Sequence, residues 1–93
     1  MNDIRYAEQR QNGASQIAKT AERMAASAGF KLEKIEWDEG QAIVDKTTHE
    51  LSISGNGKTI SGEFADEWLA DYPRRVGTEK ADGVLSEMIQ KLK

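Results

Sequence analysis

Gly55-Asn56-Gly57 sits between two short runs in which apolar and polar residues alternate. Such a triplet reverses a chain within a few residues because its members readily take positive φ. The residues before it, up to Ser54, and after it, Lys58 to Gly62, are therefore expected to pair as an antiparallel hairpin. The same stretch reads Ser54-Gly55-Asn56-Gly57-Lys58-Thr59, whose last three residues match the end of a nucleotide-binding phosphate loop. That loop needs a glycine five positions before its Gly-Lys-Thr, where this chain has Ser52, and a helix directly afterwards, where Thr59-Ile60-Ser61 continues as strand. The hairpin reading stands and nucleotide binding through this loop is not expected.

Around the hairpin the hydrophobic period changes twice. Ala14, Ile17, Ala18, Ala21, Met24, Ala25 and Ala28 fall on one helical face, with Gln16, Lys19, Thr20, Arg23 and Ser27 toward water. Asn12 or Ser15 suits the start of this helix, although Ile4 and Ala7 keep its phase and allow a start as early as Asp3, with Gly13 a cost inside it. The mostly alanine stripe lets it lie close against a sheet, and Gly29 suits a left-handed C-terminal cap. From Glu33 the period becomes two: Glu33, Ile35 and Trp37 alternate with Lys34 and Glu36 before the turn Asp38-Glu39-Gly40. Residues 41 to 54 follow either as one bent strand, the favoured reading, or as two short strands.

Helical spacing then returns. Phe64, Ala65, Trp68, Leu69 and Tyr72 share a face, closed by Pro73, and Thr78 is the expected N-cap of a last helix. Its stripe is Ala81, Val84, Leu85, Met88, Ile89 and Leu92. The expected fold is α+β: an N-terminal helix, a three- or four-stranded antiparallel meander, and two C-terminal helices. The helices should pack on the sheet face that carries Ile35, Trp37, Ile43, Leu51, Ile53 and Ile60. Ninety-three residues suit a single domain, 1–93, with one core.

Composition removes several chemistries. There is no cysteine, which excludes disulfides, thiolate zinc and thiol nucleophiles, and His49 is the only histidine, which excludes paired-histidine metal sites. Asp38-Glu39-Gly40-Gln41 lacks the alternation of a calcium loop. Ser52, Ser54 and Ser61 have no nucleophile elbow around them, so a serine triad through His49 is not expected, and His49 reads as a strand or loop residue near the sheet edge. No catalytic residue, cofactor or metal is expected. The first residues carry no basic-then-apolar leader and no apolar run is long enough to span a bilayer, so the expected location is the cytoplasm, with no membrane partner.

A formal net charge of −3 argues against a generic nucleic-acid binder, which gains affinity from a basic surface. If Phe64, Trp68, Leu69 and Tyr72 face inward, then Glu63, Asp66, Glu67 and Asp71 share the opposite face as an acidic stripe, the expected partner-binding surface. Glu36, Asp38 and Glu39 form a second acidic group. The alternative is nucleic-acid binding through Lys19, Arg23, Lys31 and Lys34. Trp37 and Trp68 read as core, Arg74 and Arg75 as partners of helix-end carbonyls or of Asp71, and Ala42 and Val44 as a small hint of a contact patch or of edge pairing into a dimer, with monomer and homodimer both open.

The order of strand, Asn56-Gly57-Lys58 turn, strand ending near Phe64, Glu67-Trp68 in a short helix, Tyr72-Pro73, Gly77 and a closing amphipathic helix resembles the layout of some small phage anti-CRISPR proteins that inhibit type I surveillance complexes. The resemblance covers residues 50 to 92, and the helix before the sheet departs from it. It implies a non-enzymatic inhibitor that binds a Cas-type, nucleic-acid-binding protein and blocks access to DNA; it carries no binding residue over. The reading is a small protein-binding module without catalysis, acting through the acidic stripe.

Overall fold

The computed structural model describes residues 3–41, 43 and 47–93, with side chains from residue 6 onward. A long helix α1 (Asp3–Ser27) leads into strand β1 (Lys34–Trp37), then strands β2 (Thr48–Gly55) and β3 (Lys58–Ala65), the short helix α2 (Asp66–Asp71) and the closing helix α3 (Thr78–Leu92). The sheet has order β1-β2-β3 and both pairings are antiparallel. The expected α+β architecture of one helix, an antiparallel meander and two helices is what forms.

Asn56 (φ 53°) and Gly57 (φ 77°) make the two-residue turn, and Gly55 pairs with Lys58 across it. The hairpin also anchors α3: Asn56 Nδ2 donates to the Leu92 carbonyl at 2.9 Å and Lys58 Nζ to the Lys93 carbonyl at 3.0 Å. The lysine that spelled a phosphate loop therefore satisfies a helix end.

The earlier of the two starts weighed for α1 is the one adopted, so Asn12 and Ser15 lie inside the helix rather than capping it. Gly13 explains why the helix runs on through its weakest residue. A Cβ placed there would lie 1.6 Å from the Leu69 carbonyl oxygen, so glycine lets α1 and α2 cross in backbone contact. At the other end Gly29 (φ 96°) donates to the Ala26 carbonyl and Phe30 to that of Ala25, the double bond of a glycine C-cap. The alanine stripe packs chiefly against α2 and α3 rather than flat on the sheet, while Trp37 of β1 reaches it with Nε1 donating to the Ala14 carbonyl at 3.1 Å.

Register sorts the sheet into two faces. Ile35 opposes Ile53 and Trp37 opposes Leu51; Ile53 opposes Ile60 and His49 opposes Phe64. This face meets the helices, and Leu51, Ile53, Phe64, Leu69, Leu85, Ile89 and Leu92 are buried on it or against it. Trp37, Phe64 and Trp68 stack edge to face in series, with centroids 5.3 Å and 6.1 Å apart, so both half-buried tryptophans pack against the core. Among the described residues the opposite face carries no helix, and it bears hydroxyls, with Ser52 bonded to Ser61 and Ser54 to Thr59, each at 2.9 Å.

Four boundaries differ from the sequence reading. β2 begins at Thr48, and Gln41 and Ile43 are not in a strand, so a single bent strand over 41 to 54 does not form; Ala42 and Val44 lie outside the described residues. β3 runs on to Ala65, so Phe64 is a strand residue and α2 is shorter than its apolar spacing suggested. Tyr72 stays right-handed (φ −56°, ψ −44°) although Pro73 follows, because Pro73 falls at the start of a 3-10 turn (Tyr72–Arg74) where its missing N–H costs nothing; the reversal comes at Arg75 (φ 63°). Gly77, left-handed at φ 66°, caps α3 in place of Thr78, which is its first residue.

Candidate functional site

Polar residues occupy three positions that are in phase with the core. Arg10 precedes Ala14 and Ile17 on the buried stripe of α1, His49 shares the parity of Leu51 and Ile53, and Asp66 stands three before Leu69. They meet in one network. Arg10 Nε and Nη2 donate to Asp66 Oδ1 and Oδ2 at 2.6 Å and 3.2 Å, and Tyr6 Oη donates to Oδ2 at 3.1 Å. His49 Nε2 lies 2.6 Å from Asp66 Oδ1, and its Nδ1 lies 2.8 Å from Asp38 Oδ2. One carboxylate oxygen thus stands within hydrogen-bond reach of each ring nitrogen. Asp38 Oδ1 also accepts the Glu50 N–H at 2.9 Å, and the Arg10 guanidinium stacks 4.8 Å over the Tyr6 ring.

His49 is 1% exposed, Arg10 4%, Asp38 7% and Asp66 9%. Burial pushes the Asp66 carboxyl upward, but the Arg10 guanidinium, the His49 ring and the Tyr6 hydroxyl outweigh it and hold the group below its ordinary value. Tyr6 moves up, first through burial and then through its bond to the Asp66 carboxylate. Among the described residues no buried side-chain polar atom lacks a partner. The network fastens α1 to α2 and to the central strand, and it holds a turn in which Asp38 and Glu39 are left-handed (φ 49° and 57°), a conformation costing about 1–2 kcal/mol per residue.

This geometry corrects two expectations. His49 lies in the middle strand under the helices, not near the sheet edge, because its neighbours in parity are core residues. The acidic stripe is not continuous: Asp66 turns inward to Arg10 and His49, Glu63 is exposed on β3, Glu67 is exposed on α2, and Asp71 is half-buried with Arg74 Nη2 3.6 Å from its Oδ1. The reason is that α2 is too short and too closely crossed by α1 to present four acids on one side. The second acidic group divides likewise, since Asp38 is buried while Glu39 is exposed.

The open sheet face gathers acids that are distant in sequence. Glu50 of β2 stands directly opposite Glu63 of β3, and Glu36 of β1, paired with Ser52, is the diagonal neighbour of Glu50. Lys34 Nζ approaches Glu36 at 3.7 Å, a surface contact worth little. Of the basic set, Lys19, Arg23, Lys31 and Lys34 are all exposed, but only Lys19 and Arg23 border a common cleft. Among the described residues no group of histidines and carboxylates is arranged to hold a metal ion, and no helix is long and apolar enough to cross a membrane. No protein-family model, curated protein or solved structure matches the chain.

Proposed function

We propose that this protein is a non-enzymatic binding module whose open sheet face docks a basic surface of a protein partner. The observation that carries the reading is the direct opposition of Glu50 and Glu63, with Glu36 diagonal to Glu50, on a face that no helix among the described residues covers. Like charges directly across an antiparallel pair destabilise it, and a partner's lysines or arginines remove that repulsion on binding. Binding and sheet stability are then coupled. The Ser52–Ser61 and Ser54–Thr59 hydroxyl pairs beside the acids make the face polar, as suits a polar interface. The finer form of the proposal, an inhibitor that covers the nucleic-acid groove of a Cas-type protein, rests on the layout of residues 50 to 92 and on the likeness of an acidic face to a polyanion.

The test is capture of partners from cells that express the protein, with the Glu50→Lys/Glu63→Lys double variant alongside. The wild type should retain a basic partner that salt or a short oligonucleotide displaces, and the variant should lose it with unchanged circular dichroism. Equal capture by both proteins overturns the reading. Reversing Asp66 is not informative, because that residue is buried in the ion network.

A further inference from the structure

Between the second half of α1 and the start of α3 lies a cleft of about 320 Å³, at the lower end of cavities that hold small molecules. Lys19, Arg23 and Arg75 border it, and Thr20, Tyr72 and Asp82 are also on its wall. Three cations against one carboxylate is the reverse of the chain's net charge of −3. Arg23 is set over the wall by a bond from Nη2 to Thr20 Oγ1 at 3.1 Å, and Thr20 Oγ1 is itself anchored on the Gln16 carbonyl at 2.9 Å. Among the described residues neither the Lys19 nor the Arg75 side chain has an ion-pair or hydrogen-bond partner. Arg75 is brought to the cleft by a left-handed backbone (φ 63°) that glycine or asparagine would hold with less strain.

Asp82 is already engaged, since Tyr72 Oη donates to its Oδ1 at 2.6 Å. Burial and that bond both raise the Tyr72 phenol, so the hydroxyl stays protonated and keeps one oxygen of Asp82 occupied. The other oxygen remains an acceptor for a ligand hydroxyl. Lys31 and Lys34 do not border the cleft, so the cations form a pocket rather than a track along which a polyanion could run.

We infer that this cleft binds a small hydroxylated phosphate monoester, its phosphate held by Lys19, Arg23 and Arg75 and a hydroxyl accepted by Asp82. Arginine and lysine together supply fork and point-charge donors to a compact dianion. The experiment is a ¹H–¹⁵N titration of the full chain at fixed ionic strength with ribose 5-phosphate, inorganic phosphate and ribose, up to about 10 mM, the range of weak single-site ligands. Saturating shifts confined to residues 16–23 and 72–82 are expected for ribose 5-phosphate, weaker ones for phosphate and none for ribose. Lys19→Gln, which has no partner to lose, should weaken ribose 5-phosphate at least several-fold, and Arg75→Gly should do the same while suiting the left-handed backbone. Absence of saturable shifts with both phosphates, or identical shifts in the Lys19→Gln protein, overturns the inference. So does a single-stranded oligonucleotide that binds here with a steep salt dependence when ribose 5-phosphate does not.

Discussion

The two halves of α1 put the same kinds of side chain to different ends. In the first half Arg10 is 4% exposed, and its guanidinium bonds both oxygens of Asp66 beneath the Tyr6 ring. In the second half Arg23 is exposed and touches one hydroxyl, Thr20, at the border of an open cleft. Both arginines stand on one helix, one closed on partners from the same chain and the other left with donors to spare. What separates them is the face of α1 on which each stands: Arg10 shares the buried stripe of Ala14 and Ile17 and meets α2, whereas Arg23 lies off that stripe, which stays buried at Ala21 and Ala25.

The largest effect expected on this contrast is at Asp66. Asp66→Ala removes the acceptor of Arg10, His49 and Tyr6 at once and takes a bidentate carboxylate from an enclosed guanidinium. Breaking a buried pair in this way costs about 3–5 kcal/mol, a large part of the stability of a domain of this size. Urea unfolding should show the midpoint collapsing, or the protein unfolded outright. A midpoint close to that of the wild type would mean that water reaches Arg10 and that the two halves of α1 are less different than the structure shows.

Gly13→Ala comes next. The added methyl meets the Leu69 backbone, which cannot turn aside as a side chain would, so α2 must be displaced. Overpacking of this kind costs about 1–3 kcal/mol, occasionally more. The displacement should also lengthen the Arg10–Asp66 bonds, so amide exchange ought to quicken over residues 66 to 72 while α3 stays protected. Uniform exchange across the chain would break the link between the helix crossing and the network.

How much of this was legible in the sequence follows from the reach of each interaction. The hairpin at Asn56-Gly57, the cap at Gly29 and the stripe of α3 are local patterns, and each formed where the residues indicated. Arg10 goes unremarked in the sequence reading and His49 is placed near the sheet edge, although each falls in phase with buried neighbours. Their partners carry no such signal: Asp66 lies 56 residues from Arg10 and 17 from His49, and no local period announces either pairing. For the same reason the sequence places Asp66 in an exposed, partner-binding acidic stripe, since the spacing within α2 carries no sign of α1 lying across it. Gly13 looked like a weakness of the helix until the carbonyl of Leu69 gave it a purpose. The acidic group on the open sheet was missed because Glu36, Glu50 and Glu63 come together only through strand register.

A smaller effect is expected from pH. The folded Asp66 carboxyl is held below its ordinary value by Arg10, His49 and Tyr6 against the opposing influence of burial, so it binds its proton less readily in the fold than in the unfolded chain. The stability it contributes is fully present above the unfolded value of about 3.9 and is lost as pH falls through the folded one. Urea midpoints should therefore drop below about pH 4. In a folded Asp66→Asn protein that acid dependence should be shallower; an unchanged slope would assign it to other carboxylates.

The smallest effect on stability is expected at Arg23. Arg23→Gln gives up one bond to Thr20 at an exposed position, whereas Arg10→Gln takes two charge-assisted bonds from the buried Asp66, so only the second should move the urea midpoint beyond error. Running the two substitutions side by side is the sharpest form of the comparison, because residue type, helix and chemical change are the same and only enclosure differs. Arg23→Gln should instead appear in the ribose 5-phosphate titration, where Arg10→Gln, far from the cleft along α1, leaves the remaining folded fraction unaltered. If Arg23→Gln lowers the midpoint as much as Arg10→Gln does, the Thr20–Arg23 contact is part of the core and the cleft loses its spare donors. If neither does, the Arg10–Asp66 pair is solvated, and its role in joining α1 to α2 passes to the packing at Gly13.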